Sequence, residues 1–231
     1  MQETKKFTYS SFESIKRLND YVINQLVQTI SNNSKARIIL SGGNTPGPIY
    51  EGFNNFGMQS EECSFIPSDE RRVSVNHKLS NEGMIRKNLK EYGDSQILSL
   101  QDPGIHEQLR ETLSYDLSLL GMGQDGHFAS IFPGMDNFEE ALYSGNSLAA
   151  VNDGYPDVPR ITLTLKEMLK AKKTILLITD KKKLKLFERV LNSPDETPIS
   201  KFIEAIQSLE VCLLKKHEPI IGSNDVFKTF I

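Results

Sequence analysis

Short apolar runs alternate with amphipathic stretches along the whole chain, and this alternation predicts an α/β fold: one domain spanning residues 1–231, with a mostly parallel, twisted sheet and helices on both faces. Three observations carry the expectation. The runs at 37–40, 64–67, 97–100, 115–120, 161–165, 174–179 and 209–214 are rich in branched and apolar residues and too short for helices. Between several of them, apolar residues recur every third or fourth position. Glycine-rich or charged loops directly follow individual runs, which is where open α/β sheets hold their ligands.

In chain order, Ser10 and Glu13 form a capping box for a helix with the apolar stripe Phe12, Ile15, Leu18, Val22, Leu26 and Ile30. The strand 37–40 ends in SGGNTP, Ser41 to Pro46, and helical spacing resumes over 49–56. The strand 64–67 leads into the charged DERRV, Asp69 to Val73, followed by a helix capped near Ser80 or Asn81. After 115–120 comes a loop containing Gly121, Gly123 and Gly126, then a short helix starting at His127 and cut by Pro133 and Gly134. Strand 174–179, helix 183–191, helix 199–206 and strand 209–214 complete the pattern. No linker, low-complexity segment or internal repeat divides the chain.

Composition narrows the function classes. With 231 residues, 38% hydrophobic, the chain can bury a real core. A formal charge of -3, with Lys181 to Lys183 as the only notable basic run, argues against nucleic acid as the main partner. Cys63 and Cys212 lie beside apolar residues and read as free buried thiols of a reducing cytoplasm. The N-terminus has no apolar signal core, and no window approaches the roughly 18 apolar residues of a membrane span. The expected location is the cytoplasm.

Chemistry concentrates in three segments. The first is the glycine loop that delivers Asp125 and His127 beyond a strand, which makes His127 the candidate base. Its spacing matches GxGxxG, but Asp125 would face a pyrophosphate and the helix after it is too short for a crossover, so dinucleotide binding is set aside. The second is SGGNTP, where backbone amides with Ser41 and Thr45 hydroxyls precede a helix; it is an anion cradle or a plain strand-to-helix turn. It lacks the Walker lysine, so a single sugar phosphate suits it better than a nucleoside triphosphate. The third is DERRV, either a solvated charge cluster or an arginine placed to hold an oxyanion or phosphate. His77, His106 and His217 lie in polar surroundings, and no HxH, HExxH or CxxC spacing supports a metal. No metal or cofactor is expected.

Taken together the motifs resemble the 6-phosphogluconolactonase family, in the superfamily that also holds glucosamine-6-phosphate deaminase and ribose-5-phosphate isomerase. LSGGNTP at 40–46, DERRV at 69–73, Ser80 with Asn81, GMGQDGHFASIFPG at 121–134 and RITLT at 160–164 follow the family's order and spacing. The resemblance implies a Rossmann-like sheet and hydrolysis of 6-phospho-D-glucono-1,5-lactone, without cofactor, in the oxidative pentose phosphate pathway. It implies His127, Arg71 and Asp125 as the catalytic group, with Ser41, Gly42, Gly43, Thr45, Asp69, Arg160 and Lys183 binding the sugar phosphate. DERR and ASIFPG favour the lactonase over the deaminase branch, which carries MDEY and AFNEP; the alternatives are a deaminase or isomerase acting on a sugar phosphate and a non-catalytic sugar-phosphate sensor, the sensor opposed by His127 and Arg71. Asp180 stands where the family has glycine, and Ser74 where it has proline.

Overall fold

The computed structural model describes residues 6–58 and 60–215. The elements run β1 (Lys6–Phe12), α1 (Ile15–Asn32), β2 (Arg37–Leu40), α2 (Gly47–Asn55), β3 (Ser64–Pro67), β4 (Asp69–Arg71), α3 (Asn81–Asn88), α4 (Ile105–Glu111), β5 (Leu117–Gly121), α5 (Phe138–Tyr143), β6 (Leu148–Val151), β7 (Arg160–Leu163), α6 (Leu165–Met168), β8 (Thr174–Ile178), α7 (Lys181–Asn192), α8 (Pro198–Ala205) and β9 (Ser208–Leu214). Six strands form a parallel sheet in the order β1-β9-β8-β5-β2-β3. A second, antiparallel sheet has the order β4-β7-β6.

Side chains alternate across a strand, so each strand of the large sheet feeds two cores. Ile38, Leu40, Leu117, Leu119, Ile175 and Leu177 pack with Leu18, Val22 and Leu26 of α1 and with Tyr50 and Phe53 of α2. The opposite residues Ile39, Leu120, Leu176 and Ile178 pack with Leu184 and Phe187 of α7, Phe202 of α8, and Leu148 and Leu163 of the small sheet. The helix stripe expected for α1 is buried from Leu18 to Ile30, whereas Ile15 is exposed.

Four local expectations are corrected. Ser10 does not cap α1: it lies in β1, where its hydroxyl donates to Glu210, and Ser14 is the cap, accepting from the Arg17 N–H at 3.3 Å. The run 97–100 is no strand; Ile97 makes one bridge to Phe65, and its carbonyl accepts from Arg86 at 2.7 Å instead of from a ladder partner. Tyr115 precedes β5 and only bridges Ala171. No helix starts at His127, because Gly126 at φ +88° and Ala129 at φ +48° break any right-handed run. Strands β1, β4 and β6 and helices α4, α5 and α6 were not anticipated, being short or lacking a clean period.

Among the parallel strands, the chain moves from β2 to β3 toward one edge, then crosses to β5 and continues through β8 and β9 toward the other. The order therefore reverses between the neighbours β2 and β5. A ligand crevice belongs beyond the carboxyl ends of these two strands, since the loops leaving them diverge to opposite sides. The loop after β2 is SGGNTP, and the loop after β5 carries His127.

Candidate active site

The β5 loop presents its histidine through close backbone packing. The Gly123 N–H donates to the His127 carbonyl at 2.8 Å, closing a tight turn. Asp125 Oδ1 lies 2.7 Å from His127 Nδ1 and also accepts from the His127 N–H at 3.2 Å. This contact fixes the ring's orientation and leaves Nε2 as the nitrogen for chemistry. The imidazole is one-third exposed, so water reaches it. Phe132 packs against it, with ring centroids 4.6 Å apart, and the Arg160 guanidinium lies over the Phe132 ring, 5.3 Å from its centroid.

DERRV is not a solvated charge cluster. Asp69, Glu70 and Arg71 form β4, and only Arg72 of the four charged residues is exposed. Asp69, 5% exposed, accepts from Ser68 at 3.0 Å and from Ser130 at 2.6 Å, which ties β4 to the loop bearing His127. Glu70, fully buried, accepts from the N–H groups of Arg71, Asn81 and Glu82 and from the hydroxyl of Ser80, the N-cap of α3, so it satisfies the first N–H groups of that helix beside the cap. Burial pushes its carboxyl above the ordinary range despite those donors.

Arg71 and Arg160 face each other in register across β4 and β7. Arg71 donates through one terminal nitrogen to the Leu79 carbonyl at 2.9 Å and to Asn81 Oδ1 at 2.8 Å. Arg160 donates to the Pro156 carbonyl at 3.0 Å. In both, Nε is buried with no protein partner. Desolvation, then repulsion from Arg71, lowers the pKa of Arg160, with Asp69 opposing the shift. Two neighbouring cations with spare buried donors form an anion-seeking surface.

On the other side of the crevice, the amides of Gly42, Gly43, Asn44 and Thr45 donate to no protein group among the described residues. Ser41 is anchored by its N–H to the Leu119 carbonyl at 3.0 Å and by Tyr50, whose hydroxyl donates to the Ser41 carbonyl at 2.8 Å. A Cβ on Gly42 would lie 2.0 Å from Asn81 Oδ1, so the loop abuts Asn81 directly. Contacts thus join Gly42, Asn81, Arg71, Arg160, Phe132 and His127 into one site. Lys183 makes none of these contacts. It sits in the first turn of α7, beyond β8, where Asp180 caps the helix by accepting from the N–H groups of Lys182 and Lys183 at 2.9 and 3.1 Å. Asp180 has φ -116°, an extended conformation that needs no glycine.

Asn81, Ser130 and Phe132 were not among the site residues expected from sequence. Each stands inside a motif that was noticed, but their roles rest on contacts between motifs. His77 and His106 are exposed, and His217 lies outside the described residues. The described residues contain no cluster of three or more potential metal ligands and no helix long and apolar enough to cross a membrane.

An α/β sheet with its site at the β2/β5 reversal, built from a histidine loop and an arginine pair, has the make-up of an enzyme site for an anionic substrate, and comparison with known proteins identifies it further. The family model described as glucosamine-6-phosphate isomerases/6-phosphogluconolactonase matches residues 10–210, and the chain belongs to this family. A 6-phosphogluconolactonase of Xylella fastidiosa strain Temecula1 is 32% identical over 187 residues, covering 74% of this chain and 78% of the relative. The crystal structure of 6-phosphogluconolactonase from Thermotoga maritima is 26% identical and superposes with a TM-score of 0.76, covering 90% of this chain and 99% of that one. A monomeric glucosamine-6-phosphate deaminase, 16% identical, shares the fold with a TM-score of 0.74 over 92% of this chain and 98% of its own. The fold alone is common to both chemistries.

Proposed function

We propose that the chain, acting as one domain in the cytoplasm, hydrolyses 6-phospho-D-glucono-1,5-lactone to 6-phospho-D-gluconate, the ring-opening step of the oxidative pentose phosphate pathway. The observation that carries the reading is the in-register pair Arg71 and Arg160, placed beside the His127 loop. A deaminase must shuttle protons between carbons, which needs carboxylates; a lactonase needs donors for a carbonyl oxygen that becomes an oxyanion.

His127 Nε2 takes a proton from water as the water oxygen bonds to the lactone carbonyl carbon, and Asp125 holds the ring through Nδ1. Arg71 stabilises the tetrahedral oxyanion. When the bond from that carbon to the ring oxygen breaks, His127 returns the proton to the departing oxygen. The phosphate rests on the free amides of Gly42, Gly43 and Thr45 beside Ser41, with Arg160 and Lys183 as outer cations and Asp69 fixing the frame.

Purified protein incubated with freshly generated phosphogluconolactone, and separately with glucosamine 6-phosphate, tests the assignment. Fast lactone disappearance, no ammonia, and much slower opening of unphosphorylated gluconolactone are expected. Ammonia release without lactone hydrolysis transfers the chain to the deaminase class.

A further inference from the structure

Arg71 has an unusual problem of placement. Arg160 stands directly opposite it on β7, so the two guanidinium groups repel, and a flexible arginine would relieve this by swinging toward solvent. It is held by a single terminal nitrogen that donates to two acceptors, the Leu79 carbonyl and Asn81 Oδ1. Both acceptors come from the chain entering α3. Leu79 offers only its backbone carbonyl, whereas Asn81 offers a side chain that is itself held: Nδ2 donates to the Asp69 carbonyl at 2.8 Å, and the Asn81 N–H donates to Glu70 at 2.8 Å. The side chain is 3% exposed, and its carboxamide fills the space a Cβ on Gly42 would need.

We propose that Asn81 is the positioning residue of Arg71, a wedge between the SGGNTP loop and β4 that sets where the guanidinium meets the reacting carbonyl. The inference rests on the lactonase reading for Arg71. Asn81 acts through Arg71 and not on substrate, so its contribution belongs in the catalytic step. Groups that orient a catalytic side chain typically contribute on the order of 10–100-fold in activity. The glycine at 42 follows from the same packing: the loop can lie against the wedge only where a side chain is missing.

The test is a double-mutant cycle with phosphogluconolactone as substrate. Asn81→Ala removes the wedge, and Asn81→Leu keeps its bulk without its polar atoms; whichever retains native circular dichroism carries the cycle. The expected result is a fall in kcat of roughly 10–100-fold with KM changed by less than about 3-fold. In an Arg71→Met background the same substitution is expected to cost less than about 3-fold, since the residue it positions is gone. Asn81→Asp, which keeps an acceptor for Arg71, restores part of kcat only when Arg71 is present. Losses that multiply in the double mutant, an unchanged kcat, or failure of both Asn81→Ala and Asn81→Leu to fold overturn the inference while leaving the lactonase reading standing. Absence of lactonase activity in the unmutated protein overturns that reading, and this inference with it.

Discussion

A methyl group on residue 123 would lie 2.2 Å from Nδ1 of His127 and 2.4 Å from Asp125 Oδ1, inside any permitted contact. The imidazole and its carboxylate partner therefore occupy a space that only glycine leaves open. His127→Ala is expected to fold normally and to lose on the order of 10²–10⁴-fold in lactonase rate, the usual contribution of a general base. Gly123→Ala is expected to approach that loss without touching the histidine itself, because the ring must rotate off Asp125. Turnover near the unmutated level in Gly123→Ala, with the fold confirmed by circular dichroism, means that the Asp125 contact does not set the reactive ring position. Both residues were legible in the sequence as parts of one loop. Their packing against each other was not, since it depends on the turn closed by the Gly123 N–H and the His127 carbonyl.

At the scale of elements, β1 shows how a buried charge replaces a local signal. Glu210 of β9, 5% exposed, gathers the hydroxyls of Ser10 in β1 and Tyr21 in α1, the latter at 2.6 Å, and pairs with Lys173 at 2.7 Å. Burial alone would raise its carboxyl, but the bonds from Lys173, Ser10 and Tyr21 outweigh burial and hold it below the ordinary range. A folded-state pKa below the unfolded value gives stability that is present above the unfolded pKa, roughly 4.3, and lost as pH falls through the folded one. Urea midpoints measured between pH 6 and pH 3 are therefore expected to fall more steeply for the unmutated protein than for Glu210→Gln. At neutral pH the substitution is expected to cost about 1–3 kcal/mol through the weakened bond to Lys173. Parallel pH profiles would show that Glu210 contributes no acid-sensitive stability. Ser10 was read as a helix cap because Glu13 follows at the right spacing; its partner lies 200 residues away, beyond the reach of any local pattern.

At the scale of the whole molecule, the two cysteines report on cooperative opening. Cys63 is 1% exposed and Cys212 fully buried, and burial pushes both thiols up, Cys212 well above its ordinary value. Cys212 lies in β9, with β1 paired on one side and β8 on the other. Neither thiol is expected to react with Ellman's reagent in the native protein at neutral pH, and both should react on unfolding in guanidinium. Rapid labelling of Cys212 under native conditions would show that β1 detaches without global unfolding. By itself the amino-acid sequence determined the alternation of strands and helices, the free buried thiols, and the segments that hold His127, Arg71 and the SGGNTP loop, because periodicity, glycine and charge act over a few neighbouring residues. The tertiary structure alone decided that β4 and β7 form a separate antiparallel sheet, that Glu70 accepts from the first N–H groups of α3, and that Asn81 joins the loop to Arg71. Those facts depend on strand order and register, where residues far apart in the chain meet only after the sheets close, and no local spacing encodes such a meeting.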